Sequence, residues 1–218
     1  MNQDPYFGRS EVSNSDLHDL HKFLYGGDDR DPTDAYRFGT LIDALVTEPE
    51  AIDFYKRTCH NEQYTAEEFA TGIKMRDAFR KDKISSQIIP LCTFQQVFNG
   101  PVKLKRGNFE FSIPMRCKYD LWMPPLKYGG DIKSTTATTQ KQFMAACKFF
   151  HYDQQRAVYM TQSGANHDIL IGISKVNFKV FKLFINRGDT FFNEGMEKFT
   201  DIAFKWYELI GETNGLQR

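Results

Sequence analysis

Three residues in the middle of the chain could act on a charge together: Asp120, Asp131 and Lys133. Between the aspartates runs LWMPPLKYGG, a spacer with turn residues at its middle, so the segment reads as a hairpin. With Pro125 and Leu126 as the central pair of the turn, Asp120 lies directly across from Asp131, their Cβ atoms about 5 Å apart. Like charges placed opposite each other destabilise a sheet, so this pair makes physical sense mainly with a cation between them. Lys133 stands two residues beyond Asp131 and therefore points to the same face. The register matters, because a slip of one residue at the turn would send the two carboxylates to opposite faces. The competing explanation is an exposed salt-bridge ladder in which the aspartates pair with Lys118 and Lys133.

The hairpin needs a scaffold, and hydropathy patterning supplies one. Ser13 and Ser15 offer N-caps for a short amphipathic helix that runs to Leu24 and stops at Gly26-Gly27-Asp28-Asp29. Residues 36–46 carry Phe38, Leu41, Ile42, Leu45 and Val46 at helical spacing, which leaves Asp43 as a carboxylate on the flank of a mostly buried helix. A Thr65-x-x-Glu68 capping box opens a helix over residues 65–83 whose end is basic, with Lys74, Arg76, Arg80, Lys81 and Lys83. The period then becomes extended. Strands are expected at 88–98, 102–105, 109–122 and 128–134, a long helix at 138–162, strands at 168–175 and 178–185, and a closing helix at 190–210. This order implies a single α/β domain over residues 1–218, layered α/β/α about a central mixed β-sheet. Its parts are an N-terminal helical part (1–87), the sheet with its long helix (88–187) and a C-terminal helix (188–218).

Composition bounds the class more than the activity. The 218 residues, 41% hydrophobic, suffice for one sizeable core. The 28 basic and 28 acidic residues cancel, so a polyanionic partner would have to be held by a local patch. Cys59, Cys92, Cys117 and Cys147 form no CxxC pair, and no leader is apparent at Met1-Asn2-Gln3-Asp4, which reads as a protein with reduced core thiols in the cytoplasm. No apolar run is long enough to cross a bilayer, so no membrane partner is expected. The five histidines form no recognisable ligand set.

Asp120, then Asp131-Ile132-Lys133, then Gln155-x-x-x-Tyr159 one helix later resemble motifs II and III and the Gln-x-x-x-Tyr motif of the PD-(D/E)XK nuclease superfamily. Upstream, Arg37-Phe38-Gly39-Thr40-Leu41-Ile42-Asp43-Ala44-Leu45-Val46-Thr47-Glu48-Pro49 resembles the first-helix signature of the RecE-type, phage exonuclease-like branch, and Val12-Ser13-Asn14-Ser15 its N-terminal serine segment. The sequence departs from that branch in having Asp43 where a histidine is usual, Tyr119 in place of the name-giving proline, and only Gln95 and Gln96 where an early strand usually carries an acid. No cysteine follows Cys147, so the iron–sulfur cluster of a related group is not expected.

The resemblance implies a restriction-endonuclease-like core and a hydrolase of DNA phosphodiesters. Its implied machinery is Mg²⁺ or Mn²⁺ held by Asp43, Asp120, Asp131 and the Ile132 carbonyl, a hard all-oxygen set. Lys133 orients the attacking water or neutralises the transition state. Gln155 and Tyr159, one helical turn apart, hold a nucleotide; Ser13 and Ser15 contact phosphate, and Arg116 and Lys118 line the DNA track. Nothing resembles a base-reading module, which favours an exonuclease acting on double-stranded DNA ends, in the 5′-to-3′ direction within phage or prophage recombination in a bacterial host. A single-strand annealing protein is the implied partner and a ring the implied homo-oligomer. The alternatives are a structure-specific or restriction-type endonuclease of the same superfamily, and a catalytically silent DNA-binding protein of this fold.

Overall fold

The computed structural model describes residues 6, 8–26 and 31–211. Helix α1 (Asn14–Tyr25) begins at Ser13, which closes a capping box: its hydroxyl accepts the Asp16 N–H at 3.2 Å, and the Asp16 carboxylate accepts the Ser13 N–H at 2.7 Å. Gly27, Asp28 and Asp29, expected in the stop signal, lie outside the described residues. Helix α2 (Thr33–Thr47) buries Leu41, Ile42 and Leu45 completely or nearly so. A small antiparallel meander of β1 (Ile52–Asp53), β2 (Thr58–Cys59) and β3 (Glu62–Gln63) follows. Helix α3 (Ala66–Lys81) carries the expected Thr65–Glu68 capping box. It stops at Asp82, whose carboxylate caps α4 (Lys83–Ile88) and pairs with Lys182 Nζ at 2.6 Å.

The centre is a five-stranded mixed sheet of β4 (Thr93–Arg106), β5 (Phe109–Met123), β6 (Tyr128–Thr135), β7 (His167–Ser174) and β8 (Val180–Asn186), adjacent in that order. All pairs are antiparallel except β6 with β7. The crossover between those two carries α5 (Gln140–Phe149) and α6 (Tyr152–Ser163), and α7 (Thr190–Trp206) closes the chain with a π-helical turn at Tyr207–Gly211. One face of the sheet, through Leu121, Ile132, Ile169, Ile171 and Ile173, packs on α2 and α3. The other, through Cys117, Tyr119, Trp122, Leu170 and Ile185, packs on α5, α6 and the start of α7. The far halves of β4 and β5 form a third cluster with α1, α6 and α7. The α/β/α layering is therefore the one the sequence implied, and among the described residues no helix is long and apolar enough to cross a membrane.

Three local expectations are corrected, and one feature is new. Residues 88–91 end a helix and a 3-10 turn rather than starting a strand. Asn99-Gly100-Pro101 does not separate two strands: β4 runs through it, with Pro101 opposite Pro114, at a sheet edge where a missing N–H is tolerated. The helix expected over 138–162 is broken at Phe150–His151, and His151 takes a left-handed φ of 53°. The break lets Phe143 and Cys147 pack on the sheet while Val158 of α6 turns to the third cluster. The β1–β3 meander was not anticipated, since its strands are two residues long and carry no periodic signal.

Candidate active site

The hairpin that carries Asp120, Asp131 and Lys133 adopts the register read from its turn. Pro124–Leu126 form a 3-10 turn with Lys127 left-handed, and the ladder pairs Met123 with Tyr128, Trp122 with Gly129 and Leu121 with Gly130. One step further places Asp120 opposite Asp131, but the ladder ends before them. Beyond that point the same edge of β5 is taken by the chain ahead of α1: Val12 N–H donates to the Pro114 carbonyl and Arg116 N–H to the Val12 carbonyl, both at 2.8 Å. The strand thus has a fork between Arg116 and Leu121, where β6 has departed and the N-terminal segment has joined. At its apex the Asp120 carboxylate accepts the Ile132 N–H at 2.7 Å, replacing a ladder bond.

Opposite faces of β6 carry different chemistry. Ile132 packs into the α2–α3 layer, whereas Asp131 and Lys133 face α5 and α6. Lys133 Nζ lies 2.6 Å from Asp131 Oδ2 and 4.9 Å from the centroid of the Tyr152 ring. Burial opposes the lysine's charge, but Asp131 with Tyr152 and Asp120 more than compensates, and its pKa is raised. This is not the exposed ladder considered above: Asp131 is buried, and Lys118 lies over the Tyr6 ring. From the α2 side Asp43 accepts Gln95 Nε2 at 2.9 Å and the Thr47 hydroxyl at 3.1 Å. Burial pushes the Asp43 carboxyl up; burial, then the charges of Asp43 and Asp131, push Asp120 well above the ordinary carboxylate range. Three carboxylates from three elements thus sense one another's charge.

Of the two early-strand glutamines, Gln95 is the one that turns toward Asp43. The β4–β5 ladder pairs Phe94 with Leu121 and Gln96 with Tyr119 but skips Gln95 and Asp120. Gln95 there takes a left-handed φ of 53°, which costs a non-glycine residue about 1 kcal/mol or more. The kink turns its amide toward α2, where it donates to Asp43 and to Thr47, and leaves its buried Oε1 without a hydrogen-bond partner.

On α6, Tyr159 lies under the Arg156 guanidinium at 4.1 Å and meets the Tyr119 ring edge-on at 5.2 Å. Gln155 keeps a buried Oε1 without a partner. Ser13 is buried and spends its hydroxyl on the α1 cap, while Ser15 is exposed. Arg116 is also engaged internally: it donates to the Arg9 carbonyl at 3.0 Å, approaches Asp16 at 3.5 Å and lies over the Tyr6 ring. The structure therefore places Ser13 and Arg116 where they hold the N-terminal segment in the fork. His18, His21 and His151 approach one another, with His151 ring centroids 6.5 and 5.8 Å from those of His18 and His21, a grouping the sequence did not suggest.

Sequence reasoning missed two residues. Arg156 and Asp168 have no solvent exposure, and Arg156 stands between Asp131 Oδ1 (3.4 Å) and Asp168 Oδ1 (3.5 Å). The available signal was an aspartate opening the apolar run Asp168-Ile169-Leu170-Ile171, since a charge in a buried strand is normally paired; Arg156 lies off the apolar stripe of its helix and carried no such signal.

The residues 12–205 match the sequence pattern of a family described as a PDDEXK-like domain of unknown function, DUF3799. The chain belongs to that family. The PDDEXK-like core accounts for the hairpin's acids and lysine on a mixed sheet between helices. No curated protein matches the chain. Among solved structures it is similar to a phage related exonuclease from Haemophilus somnus 129PT, at 14% identity with 90% of this chain and 95% of that one covered and a TM-score of 0.43. It is also similar to an alkaline exonuclease, LHK-Exo, from Laribacter hongkongensis, at 13% identity with 95% and 93% covered and a TM-score of 0.44.

The donor set fits a divalent ion, as this superfamily generally uses. Asp43, Asp120 and Asp131 gather beside Lys133, while Arg156 is shared between Asp131 and Asp168, so among the described residues the ionised acids outnumber the cations that face them. Oxygen donors of this kind suit Mg²⁺ or Mn²⁺. Among the described residues no three His, Cys, Asp or Glu side chains form a closed ligand set; the three catalytic-side carboxylates are held by separate partners.

Proposed function

We propose that the chain is a divalent-metal-dependent deoxyribonuclease that degrades double-stranded DNA from an end in the 5′-to-3′ direction. The observation that carries the reading is the strand fork, where Asp120, Asp131 and Lys133 meet Asp43 from α2. Asp43, Asp120, Asp131 and the Ile132 carbonyl would hold Mg²⁺ or Mn²⁺, which supplies an acidified water and neutralises charge on the phosphoryl oxygens. Lys133, kept cationic beside Asp131, orients the attacking water and offsets charge growing on the phosphate. Gln155 of α6, whose Oε1 is buried without a hydrogen-bond partner, would turn its amide to the incoming nucleotide. Action from an end, with a single-strand annealing partner and a ring assembly, rests on the RecE-type signature along α2 and on the lack of any base-reading element.

The test is one gel with linear and closed-circular duplexes, each labelled at known ends, with Mg²⁺ or Mn²⁺. Linear duplex should be consumed from its 5′ ends and circles left intact. Asp131→Ala should lower the rate by about 100-fold or more, as loss of one charge-stabilising group at an active site does. Cutting of circles would replace this reading with an endonuclease. Intact linear DNA together with no Mn²⁺ binding would leave a DNA-binding protein of this fold.

A further inference from the structure

Arg156 is among the largest fully buried side chains of the molecule, and the chemistry above gives it no part. Its Nε and both terminal nitrogens are buried without a hydrogen bond, as are both carboxylate oxygens of Asp168, so the group is held by charge at 3.4–3.5 Å and by aromatic faces. The guanidinium carbon lies 4.1 Å from the Tyr159 centroid and 5.3 Å from that of Tyr119. Room for this packing comes from Gly129: a Cβ there would stand 2.1 Å from the Tyr119 ring and 2.9 Å from Asp168 Oδ2. Four elements thus converge on one arginine. As a device for stability the arrangement is poor, because desolvating the ions offsets their attraction and an apolar cluster of equal volume would serve as well or better. What it does supply is a fixed neighbour for Asp131. Arg156 occupies the Oδ1 side of that carboxylate while Lys133 occupies Oδ2.

We propose that Arg156 is a positioning residue: anchored by Asp168 and clamped between Tyr119 and Tyr159, it fixes the Asp131 carboxylate with Oδ2 toward Lys133, the orientation in which Asp131 would help hold a divalent ion. The inference rests on the nuclease reading and adds to it a residue with no contact to substrate. Asp168 pairs with Arg156, which pairs with Asp131, and beyond that Asp168 feels Asp131 only through its charge, which makes Asp168→Asn the informative variant.

Mn²⁺ affinity by calorimetry and single-turnover cleavage would be measured for the native protein, Asp168→Asn, Arg156→Lys and the double variant Arg156→Met/Asp168→Asn, which removes both charges together. In folded Asp168→Asn and in the double variant, Mn²⁺ affinity should fall by about 10-fold or more, the usual effect of losing a partner that orients a ligand. Turnover should fall with it and KM for DNA ends stay unchanged. Arg156→Lys should lie between, since it keeps the charge but loses the planar contact with both rings. Native Mn²⁺ affinity and turnover in either folded Asp168 variant would overturn the inference and make the pair core filling only. If these variants do not fold, the test moves to the native protein. The exchange-protected Arg156 Nε–H resonance should shift on Mg²⁺ addition with the affinity of the metal site, and an unmoved resonance overturns the inference. Failure of the nuclease reading is distinguishable, because then the native protein itself neither binds Mn²⁺ nor cuts DNA.

Discussion

Burial makes the carboxylates at the strand fork compete for protons and for metal. Asp120 is pushed up first by burial and then by the charges of Asp43 and Asp131, and Asp43 is pushed up chiefly by burial. A metal binds the ionised form, so occupancy must expel the protons that these raised pKa values retain. Apparent Mn²⁺ affinity should therefore go on rising with pH above the range in which ordinary carboxylates titrate. Calorimetry in buffers of different ionisation heat should register proton release; an affinity and a heat independent of pH and buffer would mean that these acids are already ionised. Asp120, Asp131 and Lys133 were legible in the sequence because a short turn fixes register and register fixes the face. Arg156 and Asp168 were not, for each owes its role to neighbours that tertiary packing brings across β6, β7 and α6; Gln95 was named on its strand, but its turn toward α2 was not readable. Arg156 even lies inside the Gln155-x-x-x-Tyr159 motif, at a position that spacing alone treats as filler.

At the scale of elements, the orientation of α6 decides where Tyr159 and Arg156 stand, and α7 holds α6 in place. The contact is close: a Cβ at Gly195 would lie 2.1 Å from the Asp153 carbonyl oxygen, while Lys198 Nζ pairs with the buried Asp153 carboxylate at 2.5 Å. Gly195→Ala would have to push backbone away from backbone, so it should destabilise the fold by about 1–3 kcal/mol, the usual cost of overpacking a core. Urea denaturation measures this, and an unchanged midpoint would show that the two helices part at little cost. The capped helices were readable because their signals are local: Thr65 with Glu68 closes the box its spacing promised, and Ser13, offered as a cap, closes one with Asp16 as well. The break at His151 was not, since Phe143, Ala146, Cys147, Phe150, Gln154, Ala157 and Val158 follow one helical stripe. Only the two different surfaces that α5 and α6 must meet require the left-handed residue between them.

Taken as one molecule, the protein places three acids with raised pKa values in and beside its central sheet, and this ties the stability of the metal-free fold to pH. Asp43 and Asp120 are raised, and Asp168 is pushed by burial from 3.8 to about 6, with Arg156 working in the opposite direction. A carboxyl whose folded-state pKa exceeds its unfolded value binds more protons in the native state, so stability falls as pH rises from the unfolded value through the folded one. Other groups act differently. Burial lowers the pKa of His18 and His151, which makes the fold gain stability as pH rises through their range; Glu68 and Asp82 are lowered and contribute stability that disappears only in stronger acid. Comparing the native protein with Asp120→Asn cancels these shared contributions. In chelator, native Tm should decline relative to that of Asp120→Asn as pH rises above the ordinary aspartate range, because only the native chain must ionise this buried acid. Mg²⁺ should close most of that gap at the upper pH by stabilising the ionised native site. Parallel Tm curves for the two proteins, with or without Mg²⁺, would mean that Asp120 is as comfortable ionised in the fork as in the unfolded chain, and the case for a cation between the paired aspartates would lose its physical basis.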